Sequence, residues 1–143
     1  MGISMNKFSE LNECLSGDYS VDYWSDDVIG YASELIHNCT ATDWDNLEKV
    51  WKSKNVQWQN YLAQILAWGN LDRAVPLLLE LLSVDNEEVV VSAADSLREI
   101  RVNIRPITIT REIENYLSRI ALQTKSDLSA QSINIFLEKV RVV

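Results

Sequence analysis

The chain has 143 residues, of which 47% are hydrophobic, so it can form one packed core but is too short for two domains with separate cores. Its formal net charge of −8 argues against direct binding to nucleic acid, because an acidic surface repels phosphate groups. Four Gly and two Pro are few for a fold of many short strands and tight turns, so the composition favours helices.

Apolar residues recur at helical spacing in about eight segments of the chain. The first helix is predicted to be short, around residues 8–15, and the second to begin after a cap at residues 25–27. The third and fourth helices are predicted at 42–53 and 55–68. Gly69 would end the fourth helix in the left-handed conformation, which glycine adopts without strain.

The fifth and sixth helices are predicted at 71–83 and 86–101. Asp85, followed by Glu88 three residues later, resembles a capping box and would mark the start of the sixth helix. The short turn between the two helices predicts that they lie side by side in antiparallel orientation.

Residues 102–110, VNIRPITIT, form the one stretch with β character. Apolar residues alternate there, but Pro106 interrupts the alternation and no partner strand is evident, so we interpret the stretch as an extended connector. The seventh and eighth helices are predicted at 111–125 and 127–142. Three antiparallel hairpins then follow from the short connections: 42–53 with 55–68, 71–83 with 86–101, and 111–125 with 127–142.

The fifth and sixth helices are similar to a HEAT repeat. The stretch 74–97, AVPLLLELLSVDNEEVVVSAADSL, has a proline near the start of its first helix, an aspartate in the turn, and Val, Ala and Leu along its second helix, as that family does. It departs from the family at Val90, where an arginine often stands. The resemblance implies an all-α fold, a short irregular stack of antiparallel helical hairpins of HEAT/armadillo type. It also implies one helical-repeat domain over 1–143, with its clearest hairpin at 71–101.

Acidic residues are concentrated in the N-terminal half. Residues 1–72 carry 11 acidic and 4 basic side chains, whereas residues 73–143 carry 10 and 9. No Lys or Arg occurs between Phe8 and Glu48. Such a surface attracts a basic protein and accelerates the encounter in a salt-dependent way.

Tyrosine and tryptophan are interleaved with these carboxylates in two segments, 18–27 (DYSVDYWSDD) and 42–51 (TDWDNLEKVW). Aromatic residues surrounded by charge are typical of interface hot spots. The alternative is that they anchor the core, which the pattern favours for Trp44, Trp51 and Trp58, or that 18–27 is a solvated loop. We predict a partner-binding surface made of Asp18, Tyr19, Asp22, Tyr23, Trp24, Asp26, Asp27, Asp43, Trp44, Asp45 and Glu48.

The sequence offers little catalytic or metal-binding chemistry. It has no glycine-rich phosphate loop and no closely spaced His or Cys pair, and its one histidine, His37, lies at a helix end where a dipole role is ordinary. The aspartates of 18–27 lack the glycine and terminal glutamate of a calcium loop. We therefore expect no enzyme activity, no metal and no cofactor.

Two cysteines without metal-ligand spacing, Cys14 and Cys39, are typical of a reducing cytoplasm, although one disulfide between them stays open. The first residues lack a charged n-region followed by an apolar h-region, so we expect no signal peptide. No apolar run reaches the ~20 residues that a membrane span needs. These features predict a cytoplasmic protein with no membrane partner.

In size, charge and helical architecture the chain resembles bacterial immunity proteins of contact-dependent inhibition and related polymorphic toxin systems. The resemblance implies that a monomer binds a basic cognate toxin, such as a nuclease domain, in a 1:1 complex and covers its active-site cleft. A second hypothesis is a HEAT-like adaptor or scaffold that holds a peptide or protein subunit on its concave face. An enzyme that uses His37 and the aspartates of 18–27 is a third.

Overall fold

A computed structural model describes residues 6–103 and 106–143. Over those residues the chain forms eight helices and two very short strands, which confirms the predicted all-α fold. Helix α1 spans Lys7–Leu15. Helix α2 is continuous through three parts: Val21–Tyr23, a π-helical turn at Trp24–Val28, and Ile29–His37.

The remaining helices follow in the predicted order, and the last four pack as the predicted hairpins 71–83 with 86–101 and 111–125 with 127–142. They are α3 (Ala41–Val50, extended by a 3₁₀ turn at Trp51–Ser53), α4 (Val56–Ile65, extended by Leu66–Trp68), α5 (Leu71–Leu81), α6 (Glu87–Asn103), α7 (Arg111–Gln123) and α8 (Asp127–Lys139). Strands β1 and β2 are Thr108–Ile109 and Arg141–Val142.

Helix α6 lies at the centre of the stack. It packs against α4 on one side and α8 on the other, and it also packs against its hairpin partner α5. Ala93 and Ala94 of α6 are fully buried, and such small side chains allow neighbouring helices to approach closely. Because alternate helices of the chain contact one another directly, the hairpins are stacked side by side, as the HEAT-like interpretation predicts.

Polar side chains connect successive hairpins. The Ser96 hydroxyl of α6 donates to the carbonyl oxygen of Ala63 in α4 at 2.6 Å, and the Tyr116 hydroxyl of α7 donates to the carbonyl oxygen of Val84 at 2.7 Å. Arg73 of α5 reaches back to two carboxylates of α3. These contacts fix the register of the stack, since a hydrogen bond to a partly buried group is lost if the helices slide.

Two helix starts differ from the prediction. Helix α2 does not begin after 25–27 but at Val21, where Ser20 accepts a hydrogen bond from the amide of Tyr23 at 3.1 Å. The cap of α6 is Asn86 rather than Asp85, because the Asn86 side chain accepts from the amide of Val89 at 3.2 Å. In both helices the residue that acts as cap is the one whose side chain reaches the amide three positions along.

Residues 102–110 were predicted to be an extended connector without a partner strand, and this was wrong for the end of the stretch, which pairs with another strand. Residues 104 and 105 lie outside the described residues. β1 pairs in parallel with β2, which places Thr108 opposite Arg141 and Ile109 opposite Val142. The amide of Val143 donates to the carbonyl oxygen of Ile109 at 3.1 Å. The partner strand consists of residues at the chain's end that were predicted to be helical, so no local pattern pointed to the pairing.

Gly69 is not in the left-handed conformation, since its φ is −94° and its ψ is −170°. The reason for glycine here is space. A Cβ atom on Gly69 would lie 2.7 Å from Cζ2 of Trp44 and 3.1 Å from Cγ1 of Ile36, which is closer than packed carbon atoms approach. Gly69 therefore allows the turn after α4 to pack on Trp44.

Asp43 joins the starts of α1 and α3. Only 3% of the residue is exposed, and its carboxylate accepts hydrogen bonds from the amide and hydroxyl of Thr40 at 2.8 and 2.9 Å and from the amide of Phe8 at 3.1 Å. Burial on its own raises the pKa of a carboxyl, but these hydrogen bonds, with the nearby charge of Lys7, lower the pKa of Asp43 below its usual value.

We predict that Asp43→Ala lowers the free energy of unfolding by about 1–3 kcal/mol at pH 7, because the amides of Thr40 and Phe8 lose their acceptor. Since the folded-state pKa is below the unfolded one, the stabilisation by the charge is present above the unfolded-state pKa and is lost as the pH falls through the folded-state pKa. Urea denaturation of the native chain and of Asp43→Asn, which keeps the shape, should therefore give a difference in the free energy of unfolding that narrows as the pH falls below the ordinary aspartate pKa of about 3.9. A difference independent of pH would contradict this account.

Gly69→Ala should destabilise the protein by about 1–3 kcal/mol because the added methyl group collides with Trp44. Gly30→Ala is the matched control, since a Cβ atom at this helical position meets nothing within 4 Å. It should stabilise the protein by about 0.4–1 kcal/mol, because alanine has the higher helix propensity. Midpoints of urea denaturation measure both changes, and effects of the same sign would contradict the steric explanation.

Candidate partner-binding surface

An aromatic cluster anchors the start of α2 on α4. The ring of Trp24 stacks on Tyr61 with centroids 4.0 Å apart, and its Nε1 donates to Oε1 of Gln64 at 2.9 Å. Trp24 is 4% exposed. The indole is thus both buried and hydrogen-bonded, and it fixes the π-helical turn of α2 against α4.

The residues just before α2 are held by the same cluster. The Tyr19 ring lies 5.8 Å from Tyr61 and 6.1 Å from Trp24, centroid to centroid. Its hydroxyl donates to the carbonyl oxygen of Cys14 at 2.7 Å. Burial, and to a lesser extent the Cys14 thiol, raise the pKa of Tyr19, which keeps the hydroxyl protonated as the donor.

An open groove of about 600 Å³ lies between α1 and α2. Tyr23 and Tyr31, each 53% exposed, line it together with the partly buried Tyr19. Its other lining residues are Glu10, Glu13, Cys14, Asp27 and Val28. We call this feature, with its three tyrosines and three carboxylates, the acidic groove.

The negative charge of the acidic groove is largely uncompensated. Lys7, whose Nζ lies 3.5 Å from Glu10, makes an ion pair at the groove. Among the residues that the structure describes, neither the side-chain carboxylate of Glu13 nor that of Asp27 has a hydrogen bond or ion pair. A cationic side chain that enters the groove would meet two free carboxylates and the faces of tyrosine rings, which attract cations.

The structure places the predicted partner-binding residues in different surroundings. Tyr19, Tyr23 and Asp27 line the acidic groove, and Asp22 and Asp26 are exposed on the same helix. Asp18 accepts a hydrogen bond from Gln57 at 3.2 Å. Asp45 and Glu48 are bound to Arg73 at 2.7 and 2.5 Å and do not line the groove.

Trp24, Trp44 and Asp43 are buried, so the prediction that they belong to the partner-binding surface was wrong. Trp44 belongs to the buried stripe of α3 with Leu47 and Trp51, and Trp24 stacks on Tyr61. Asp43 completes the capping box of α3, in which Thr40 is the cap. Glu10, Glu13 and Tyr31 also line the groove but were not among the predicted residues. Tyr31 could have been found from its position four residues after Asp27, one helical turn along the same face.

Within the described residues, no hydrogen bond joins the side chain of His37 to Cys14 or Cys39. Cys14 and Cys39 are both free, so the disulfide left open by the sequence does not form. Burial, and secondarily Asp43, raise the pKa of Cys39 to about 12, which keeps it a thiol. Nδ1 of His37 lies 3.2 Å from the carbonyl oxygen of Trp68. Within 6–103 and 106–143, no three His, Cys, Asp or Glu side chains are grouped to hold a metal ion.

Comparison of the chain with protein-family models, with curated proteins and with solved structures found no match. None of the helices within the described part of the chain combines the length and the hydropathy needed to cross a bilayer.

The two neighbouring aromatic residues of α2 should behave differently when truncated. Trp24→Ala should lower the free energy of unfolding by about 3–5 kcal/mol, because it removes the stack on Tyr61 and leaves a cavity. Tyr23→Ala should change it by no more than about 0.5 kcal/mol, because the ring is half exposed. Chemical denaturation distinguishes them, and a large loss of stability for Tyr23→Ala would mean that this ring is part of the core.

Proposed function

We propose that this chain is an immunity protein that binds a basic bacterial toxin, of nuclease type, and covers its active-site cleft. The acidic groove carries the proposal, because Glu13 and Asp27 have no cationic partner within the described residues while exposed tyrosines stand beside them. The immunity role itself rests on resemblance in size, charge and architecture.

The chemistry of the groove is complementary to that of a nuclease cleft. Such clefts present Lys and Arg to bind phosphates. A carboxylate can replace the phosphate as the charge partner, and a tyrosine ring beside it adds a cation–π contact of about 0.5–2 kcal/mol. Tyr23 and Tyr31 thus offer the composition of an interface hot spot.

Anchoring of α2 supports tight binding. Because the Trp24–Tyr61 stack already fixes the helix, little conformational entropy is lost when a partner orders the groove. The net charge of −8, concentrated in the N-terminal half, adds long-range attraction toward a cationic protein.

The test uses the protein encoded by the open reading frame immediately upstream, which this proposal expects to be a toxin with a nuclease domain. The chain should bind it 1:1 and inhibit its nuclease activity. Association should slow by about tenfold or more between low and high salt, because screening removes the attraction. Stopped-flow or surface plasmon measurements give the rate constant.

Reversing the charge of groove residues tests whether the partner binds at the acidic groove. Glu13→Lys with Asp27→Lys should slow association by about tenfold, whereas Glu138→Lys, at an exposed position of α8, should change the rate by less than about twofold. Salt-insensitive binding, or equal effects of all reversals, would contradict the proposal. A non-toxin protein as the specific partner would favour the adaptor hypothesis.

A further inference from the structure

A second groove, of about 580 Å³, lies on the other flank of α2. It is mainly apolar, and Trp68 forms one wall. Ile29, Gly30, Ser33, Glu34 and His37 of α2 line the rest, together with the residue after the helix. We call it the Trp68 groove. Because Tyr31 lines the acidic groove and Ser33 the Trp68 groove, a single helix separates the two.

Trp68 differs from the other tryptophans of the chain. It is 62% exposed, whereas Trp24, Trp44, Trp51 and Trp58 are all buried. The fold holds its backbone, since its carbonyl oxygen lies 3.2 Å from Nδ1 of His37, but leaves the indole in solvent. An exposed tryptophan at the edge of an apolar groove is the side chain that most often acts as a binding hot spot.

Gly30 gives an independent indication. It lies inside α2 and is exposed, and a Cβ atom built on it meets nothing within 4 Å. No glycine among the described residues has a positive φ. Glycine in a helix interior costs stability relative to alanine, so neither strain nor packing of the free protein explains it. The approach of another chain to the helix backbone at this point would explain it.

The charge at the Trp68 groove points to the same partner as the acidic groove. Glu34 contributes a carboxylate, and no Lys or Arg is among the described lining residues. A second copy of this chain would bring its own acidic α2 against this one, and like charges would repel. A basic partner that crosses α2 meets no such repulsion.

We propose that the basic partner straddles α2, with cationic side chains in the acidic groove and one apolar side chain in the Trp68 groove over Gly30. The inference rests on the proposed function in that it assigns both grooves to one basic protein. It adds a specificity site of apolar chemistry, which charge alone does not provide.

Trp68 supplies the signal for the test. With the other tryptophans buried, acrylamide quenching of the full-length chain should report mainly on Trp68. The probes are a lysine pentapeptide with a central phenylalanine and the same peptide with a central alanine. The phenylalanine peptide should protect Trp68 from quenching and bind about tenfold more tightly, since it buries one large apolar side chain.

Variants at Gly30 locate the site. Gly30→Gln, which keeps a helix-favouring residue but fills the groove, should reduce the affinity of the phenylalanine peptide to that of the alanine peptide. Gly30→Ala adds one methyl group where the partner approaches the helix and should lose part of the preference. Glu138→Gln, at an exposed position of α8 outside both grooves, is the control and should retain the tenfold preference. Circular dichroism checks that the variants are folded.

Other outcomes separate this inference from the proposed function. If both peptides bind equally and Asp27→Lys abolishes both, the Trp68 groove has no role and the acidic groove stands. If the phenylalanine peptide binds equally well with and without Asp27→Lys, the site does not select a basic partner and the inference fails. Protection of Trp68 that depends only on protein concentration would assign the groove to a second copy and overturn it. If neither peptide binds at about 1 mM, the inference is also overturned. The proposed function is then tested separately by the experiment with the toxin domain.

Discussion

The stacking of Trp24 on Tyr61, with centroids 4.0 Å apart, is the contact on which the N-terminal half depends. It attaches the first turns of α2 to α4, and α4 is in turn packed against α6 at the centre of the stack. Since α2 lines both grooves, the positions of Asp27, Tyr31 and Glu34 follow from this attachment. The stacked hairpins form a rigid support, and α2 is held in a fixed position at the surface because it is attached to them.

The distribution of charge agrees with this division between the hairpins as support and the N-terminal helices as the exposed surface. Residues 1–72 carry a net charge of −7 and residues 73–143 carry −1, so the hairpin α5–α6 belongs almost entirely to the nearly neutral half. Unpaired carboxylates on one face destabilise a fold through mutual repulsion. The apolar core, which forms one continuous cluster of buried residues from α1 to α8, offsets that repulsion. We interpret the acidic face as a feature of binding rather than of folding.

Much of the fold could be predicted because its signals are local. The stripe of Leu78, Leu81 and Leu82 predicts helix α5 from a few residues of sequence, whereas the pairing of Ile109 with Val142 joins residues far apart and leaves no such pattern. The candidate site was only partly predictable. Trp24 and Tyr23 are adjacent and of similar chemistry, and only packing shows that one is a core anchor and the other is exposed.

Amide hydrogen exchange of the chain, free and mixed with the toxin domain proposed as its partner, tests the central claim most directly. The account predicts that exchange slows in α1 and α2, over Lys7–Leu15 and Ile29–His37, while α7 and α8 are unchanged. Slower exchange confined to Arg111–Gln123 and Asp127–Lys139, with α1 and α2 unaffected, would contradict it.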